Sequence, residues 1–258
     1  MYYNFARHLR TRRVEHITSM SRHNRSEGPK TKQIYEIPND DSKGELLPIT
    51  ADEVKSLKKD KFDLHQIIRV TLALLKTSKL PSEVISDVLE FAGLCATFSA
   101  KTDDTKYGKN NMNYEYLLLS IPSLSSLNLP PGITISENCS QLIVECSSHD
   151  QGWSSSNQHY NGTYLDSYTW SEVAVMKKIM IDGEAESFDE VSRTMIGKNV
   201  RADQSFRHHI KRFYDPDGFI KNIELGDAVK ILLRSVYPGW QNTANFASIA
   251  VQFPIVVM

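Results

Sequence analysis

Apolar residues in this chain follow two different periods. Between residues 46 and 98 they recur three and four positions apart, and from Ile133 onward they alternate with polar ones. In "KFDLHQIIRVTLALLKTS", Phe62, Leu64, Ile67, Ile68, Leu72, Leu74 and Leu75 surround most of a helical circumference, which predicts a helix buried on more than one side. In "KLPSEVISDVLEFAGLCATFS", Pro81 suits a first helical turn, where its missing N–H costs nothing. Val84, Ile85, Val88, Leu89 and Phe91 then form a stripe, with Gly93 near its end. Thr50 and Glu53 have capping-box spacing and predict a shorter helix before these two.

The second half reads as strands. "QLIVECSS" sets Leu142, Val144 and Cys146 against Ile143 and Glu145. "WSEVAVMKKIMI" carries Val173 and Val175 on one face. "GDAVKILLRSVYPGW" points Val229, Ile231 and Leu233 inward, and "FASIAVQF" does the same with Ala247, Ile249, Val251 and Phe253. Several such strands, separated by turns and by no helical pattern, predict an antiparallel sandwich. "YEYLLLSIPS" is a further strand or a buried extended segment, and Pro130–Pro131 marks an irregular crossing. The apolar tail "PIVVM" is expected to cap the sandwich. The fold class is α+β: a disordered arm over 1–45, a helical part over 46–100, and a β-sandwich with its linker over 101–258.

Net charge is −1, but it is unevenly distributed. Residues 1–32 hold eight Arg and Lys against Glu15 and Glu27, which leaves the rest of the chain with 22 basic and 29 acidic residues. The acidic body predicts no general attraction to nucleic acid or membrane. The Arg-rich, acid-poor arm fits either a disordered cytoplasmic extension or a mitochondrial transit peptide. Cys95, Cys139 and Cys146 form no CxxC pair, as expected of free thiols in a reducing compartment, and the localisation expected is cytoplasmic.

The densest chemistry lies in "SSHDQGWSSSNQHYNGTYLDSYTW", which sets rings among small polar residues. Trp153 and Trp240 each follow a glycine in a turn and offer flat apolar faces for a sugar or an aromatic side chain. Asp150, Gln151, Asn157, His159 and Tyr164 supply carboxylate, amide, imidazole and hydroxyl groups that converge on a ligand, or that bond their own turns. Trp170 opens an apolar strand and reads as structural. His149, Asp150 and His159 match no metal-ligand spacing, so no metal or cofactor is expected. Ser154–Ser156 with His159 lack an orienting acid, and no catalytic fingerprint appears, so no enzyme is expected. "RADQSFRHHIKRFYDPDG" reads as a charge-studded edge strand or a basic strip.

The segments Asp150-Gln151-Gly152-Trp153-Ser154-Ser155, Gly162-Thr163-Tyr164, Thr169-Trp170 and Pro238-Gly239-Trp240 resemble an uncharacterised fungal family with a C-terminal "DQGWSS…GTY…TW…PGW" domain. More distantly, the layout is similar to galactose-binding-like jelly rolls, including those found behind F-boxes. The resemblance implies a ligand site in loops at one end of the sandwich. Upstream, Leu80-Pro81-Ser82-Glu83 resembles the start of an F-box, with the aromatic second half of that motif missing. This implies Leu80, Pro81, Val84 and Ile85 as contacts for a Skp-type adaptor. The function expected is therefore non-catalytic recognition of a protein or glycan through Asp150, Gln151, Trp153, Asn157, His159, Tyr164 and Trp240. The alternatives are a substrate-recognition subunit of a Skp-dependent ubiquitin ligase and a mitochondrial protein of unknown activity.

Overall fold

A computed structural model describes residues 34–36, 47–49, 63–181, 185–214 and 218–258. The basic arm over 1–32, with its mitochondrial reading, and the helix expected at Thr50 lie outside the described residues. Within the arm expected to be disordered, Ile34–Glu36 forms strand β1, which pairs with Leu47–Ile49 (β2).

The helical stretch is two helices. Asp63 starts α1 (Leu64–Thr77) through a capping box: its carboxylate accepts from the Gln66 N–H at 2.8 Å, and the Gln66 side chain accepts from the Asp63 N–H at 3.0 Å. Burial is deepest along Ile67, Ile68 and Thr71, with Leu64, Leu72, Leu74 and Leu75 packed beside them. In α2 (Ser82–Phe91), the expected stripe divides. Ile85 and Leu89, one turn apart, enter the core, while Val84, Val88 and Phe91 face outward. The helix ends in a Schellman motif, with the Leu94 N–H bonded to Leu89 O, the Gly93 N–H to Glu90 O, and Gly93 at φ +70°.

The sandwich holds eight main strands: β3 (Ala96–Thr102), β5 (Asn113–Ser120), β7 (Gln141–His149), β8 (Thr169–Ile181), β9 (Ala185–Lys198), β10 (Arg207–Tyr214), β11 (Ala228–Ser235) and β12 (Gln241–Phe253). One sheet runs β10-β7-β12-β3, extended at the β10 edge by β1 and β2; β4 (Lys106–Lys109) also pairs with β12. The other runs β5-β11-β8-β9. Strands β3 and β12, β5 and β11, β7 and β10, and β8 and β9 are antiparallel partners. The chain is thus one long hairpin wound over itself, the jelly-roll topology. The first of these strands starts at Ala96, a few residues before the domain boundary expected at 101.

The period-two pattern explains the core. Leu142, Val144, Cys146, Val173, Val175, Val229, Ile231, Leu233, Ile249 and Val251 all point between the sheets and are fully buried. The tail behaves as expected: β13 (Ile255–Val257) pairs with β6 (Ile133–Ile135), and the Val257 N–H bonds Ser86 Oγ at 3.0 Å, tying the tail to α2. The charge-studded strand is a correction. β10 is no edge, because β7 flanks it on one side and β1 pairs in parallel on the other. His209 and Lys211 lie opposite the inward residues Cys146 and Val144 and are buried.

Candidate functional site

The registers bring four loops to one end of the sandwich. His149 lies opposite Thr243, Ser148 opposite Arg207, Ser235 opposite Thr169 and Lys198 opposite Trp170. The loops 150–168, 199–206 and 236–240 leave from these strand ends and, with the β3–β5 connection that carries β4 and enters β5 at Asn113 opposite Arg234, form one rim. Trp153, Tyr164 and Trp240 therefore share a rim, although their loops are far apart in the chain.

A fully buried arginine holds this rim together. Arg201 Nη1 donates to Asp166 Oδ2 at 2.9 Å and to the Asp166 carbonyl. Its Nη2 donates to Ser154 Oγ at 2.6 Å and to the Ser156 carbonyl, and its Nε reaches Asn161 Oδ1 at 3.3 Å. The guanidinium sits 5.1 Å from the centroid of the Trp240 ring. Tyr168 meets Trp240 edge-on at 4.9 Å and Tyr237 at 5.0 Å. Hydrogen bonds from Tyr168 and Asn157, with Arg201 alongside, hold the Asp166 carboxyl below the ordinary carboxylate value.

The seven residues expected to bind ligand divide by exposure. Trp153 is 61 % exposed, and Asn157 and His159 also face solvent. Gln151, Tyr164 and Trp240 are half-buried. Gln151 joins loops: its Oε1 accepts from the Gln241 N–H at 3.1 Å, and its carbonyl accepts from Gln204 Nε2 at 3.0 Å. Asp150 is buried, and its carboxylate is occupied by the N–H groups of Gln151 (2.7 Å) and Ala202 (2.8 Å), so it positions the loop from below. Ser154 Oγ is engaged by Arg201 and by Ser156 O. His149 packs on Phe206 and His159 on Tyr160. Among the described residues no group of three or more His, Cys, Asp or Glu is gathered as for a metal ion.

Nothing in the pattern of residue types signals the roles of Arg201, Asp166, Tyr168 or Tyr237. Arg201 looks like one of several basic residues, and its partners lie 35–47 positions away. Tyr237 is 55 % exposed and sits at φ +72°, an uncommon conformation for a bulky side chain. Leu165, 62 % exposed, adds a third large apolar surface to the rim.

Beneath the rim the space between the sheets is polar. Ser148 Oγ donates to Asn199 Oδ1 at 2.6 Å, and Asn199 Nδ2 donates to Thr169 Oγ1 and Asn242 Oδ1, both at 3.0 Å. Asn242 Nδ2 reaches the carbonyls of Trp170 (2.8 Å) and Arg234 (3.1 Å). His209 lies deeper, and neither ring nitrogen has a hydrogen-bond partner among the described residues. A Cβ on Gly197 would come within 2.5 Å of the His209 ring, so the glycine makes room for it. Burial pushes the Cys146 thiol up to about 12.

Two buried groups at this end give opposite pH dependences. Burial lowers His209 from 6.5 to about 4, so its contribution to stability is present above 6.5 and lost as pH falls through 4. Burial raises Asp150 from 3.8 to about 6, so its contribution is present below 3.8 and lost as pH rises through 6. Between about pH 4 and 6 the two nearly cancel. Asp150→Asn removes one of them. From pH 7 to pH 4 the variant is expected to lose about 3 kcal/mol more unfolding free energy than the parent. Urea titrations across that range check this, and parallel curves for the two proteins contradict it.

No family model matches the chain, and no curated protein matches it. Among solved structures, the N-terminal cellulose-binding domain of Cellulomonas fimi β-1,4-glucanase C shares 8 % identity, covering 63 % of this chain and 88 % of its own, with a TM-score of 0.18. A superposition of that quality carries no argument about fold or ligand. No helix among the described residues is long and apolar enough to cross a membrane.

Proposed function

We propose that the chain is a non-catalytic recognition module that binds a protein or glycan surface through its rim. One observation carries this reading: Trp153, Leu165 and Tyr237 are each more than half exposed, on loops pinned by the buried Arg201 network. Large apolar side chains held rigidly at a surface lose little entropy when covered, which is how aromatic anchors work in interfaces. Asn157 and His159 supply polar contacts beside them, and Asp150, Gln151, Tyr164 and Trp240 set the loop shape from beneath. A Trp153→Ala, Tyr237→Ala double variant is expected to fold normally and to bind the captured partner at least about 30-fold more weakly, a loss of about 2 kcal/mol. Quantitative capture from native extract together with a glycan array reads this. Undiminished binding by the variant refutes the rim as the site.

A second reading draws on α2. Leu80 and Pro81, just before the helix, and Val84, Val88 and Phe91, along it, are exposed, Phe91 to 95 %, in the segment that resembles the start of an F-box. Of the four contacts expected for an adaptor, Ile85 faces the core instead. Co-precipitation of a Skp-type adaptor, lost in Leu80→Asp, Val84→Asp, supports the ligase reading; no co-precipitation by the parent removes it.

A further inference from the structure

Helix α2 carries more apolar surface than its packing uses. Its side chains fall into rows of i, i+4 and i+7 spacing, each offset from the next by one residue, or about 100° around the axis. Ile85 and Leu89 form the row that enters the core. One residue earlier, Val84, Val88 and Phe91 form a second row, which faces solvent; Leu80, just before the helix, is exposed as well. One residue earlier again, Glu83, Asp87 and Glu90 form a third row, also exposed.

The apolar stripe thus has the core-facing row on one flank and a line of carboxylates on the other. The helix holds no basic residue, and none of the three carboxylates joins an ion pair among the described residues. Glu90 stands in the last turn, where the carbonyl end of a helix disfavours an anion and favours a cation, and no basic residue in that turn offsets it. Contiguous exposed apolar side chains of this size mark a contact surface. A partner that brings both apolar side chains and cations relieves the exposed stripe and the unbalanced charge together.

We propose that α2 docks a basic amphipathic helix of a partner protein. The partner's apolar stripe covers Leu80, Val84, Val88 and Phe91, and its Lys or Arg residues meet Glu83, Asp87 and Glu90. The inference rests on the exposure and charge of α2, not on the F-box resemblance, and it does not involve the rim. A second copy of this chain fits poorly, because two α2 helices would bring two rows of carboxylates together. An anionic membrane is repelled by the same row.

The test is fluorescence anisotropy of labelled peptides of about fifteen residues, titrated with the full chain. One peptide sets Leu at helical spacing among Lys, a second has Glu in place of every Lys, and a third keeps the Leu/Lys composition but breaks the spacing. The amphipathic Leu/Lys peptide is expected to bind, and the other two at least about tenfold more weakly. Phe91→Ser, at a side chain 95 % exposed, is expected to weaken binding about tenfold without unfolding the chain. Glu83→Lys, Asp87→Lys is expected to reverse the preference in favour of the Leu/Glu peptide. Leu118→Ala, on the sandwich, is expected to change nothing. Absence of Leu/Lys binding, equal binding of either comparison peptide, or indifference to Phe91→Ser overturns the proposal. So does a dimer in sedimentation, or retention on phosphatidylserine vesicles, that Phe91→Ser abolishes. Peptide binding without co-precipitation of an adaptor removes the ligase reading alone, and co-precipitation without peptide binding removes this inference alone.

Discussion

Arg201→Met is expected to lower the unfolding free energy by about 3 kcal/mol or more, and to release the loop over 154–166 to proteolysis while the strands stay protected. Methionine approximates the volume of the arginine stem but can donate none of its hydrogen bonds. Asp166, Ser154, Ser156 and Asn161 would each lose a donor at once. The backbone links that remain to neighbouring loops, Arg201 N–H to Thr163 O, Gly162 N–H to Arg201 O and Val236 N–H to Tyr168 O, all lie in the second half of the loop of nineteen positions from 150 to 168. Arg201→Lys keeps the charge but not the planar fork, and is expected to recover less than half of the loss. Urea titration and limited proteolysis measure both effects. A change below about 1 kcal/mol for Arg201→Met would mean that the loop is held by other contacts.

Asn242→Leu is expected to cost about 3 kcal/mol. The substitution keeps the volume but strips the donor from two buried carbonyls, those of Trp170 and Arg234, and the acceptor from Asn199. Each orphaned group loses water without gaining a partner. Asn242 belongs to β12 and the two carbonyls to β8 and β11, so this side chain fastens one sheet to the other directly below the rim. A shift in denaturation midpoint with an unchanged slope is expected. Parental stability in Asn242→Leu would show that the two carbonyls find water.

The inward faces were legible because alternation alone fixes which side of a strand is dry. Val229, Ile231 and Leu233 needed no tertiary information. The gathering of rings at a rim was legible too, because turn residues surround them. The division of labour among those residues was not. Asp150 and Trp153 stand three positions apart in one polar loop, yet one is sealed and the other is 61 % exposed. That difference depends on the Ala202 N–H, contributed by a loop 52 positions later. The burial of His209 and Lys211 was hidden for a similar reason: titratable side chains read as surface until a neighbour such as Gly197 is seen to leave space. The capping box at Asp63 followed a familiar spacing but lay inside a stretch already read as continuous helix.

Strand β12 sits between β7 and β3, in the middle of its sheet, although it spans residues 241–253 near the end of the chain. During synthesis, β7 and β3 must each wait with an edge open that only this strand fills. Nascent chains halted before Gln241 should therefore engage chaperones, and the rim should form only after translation has passed that point.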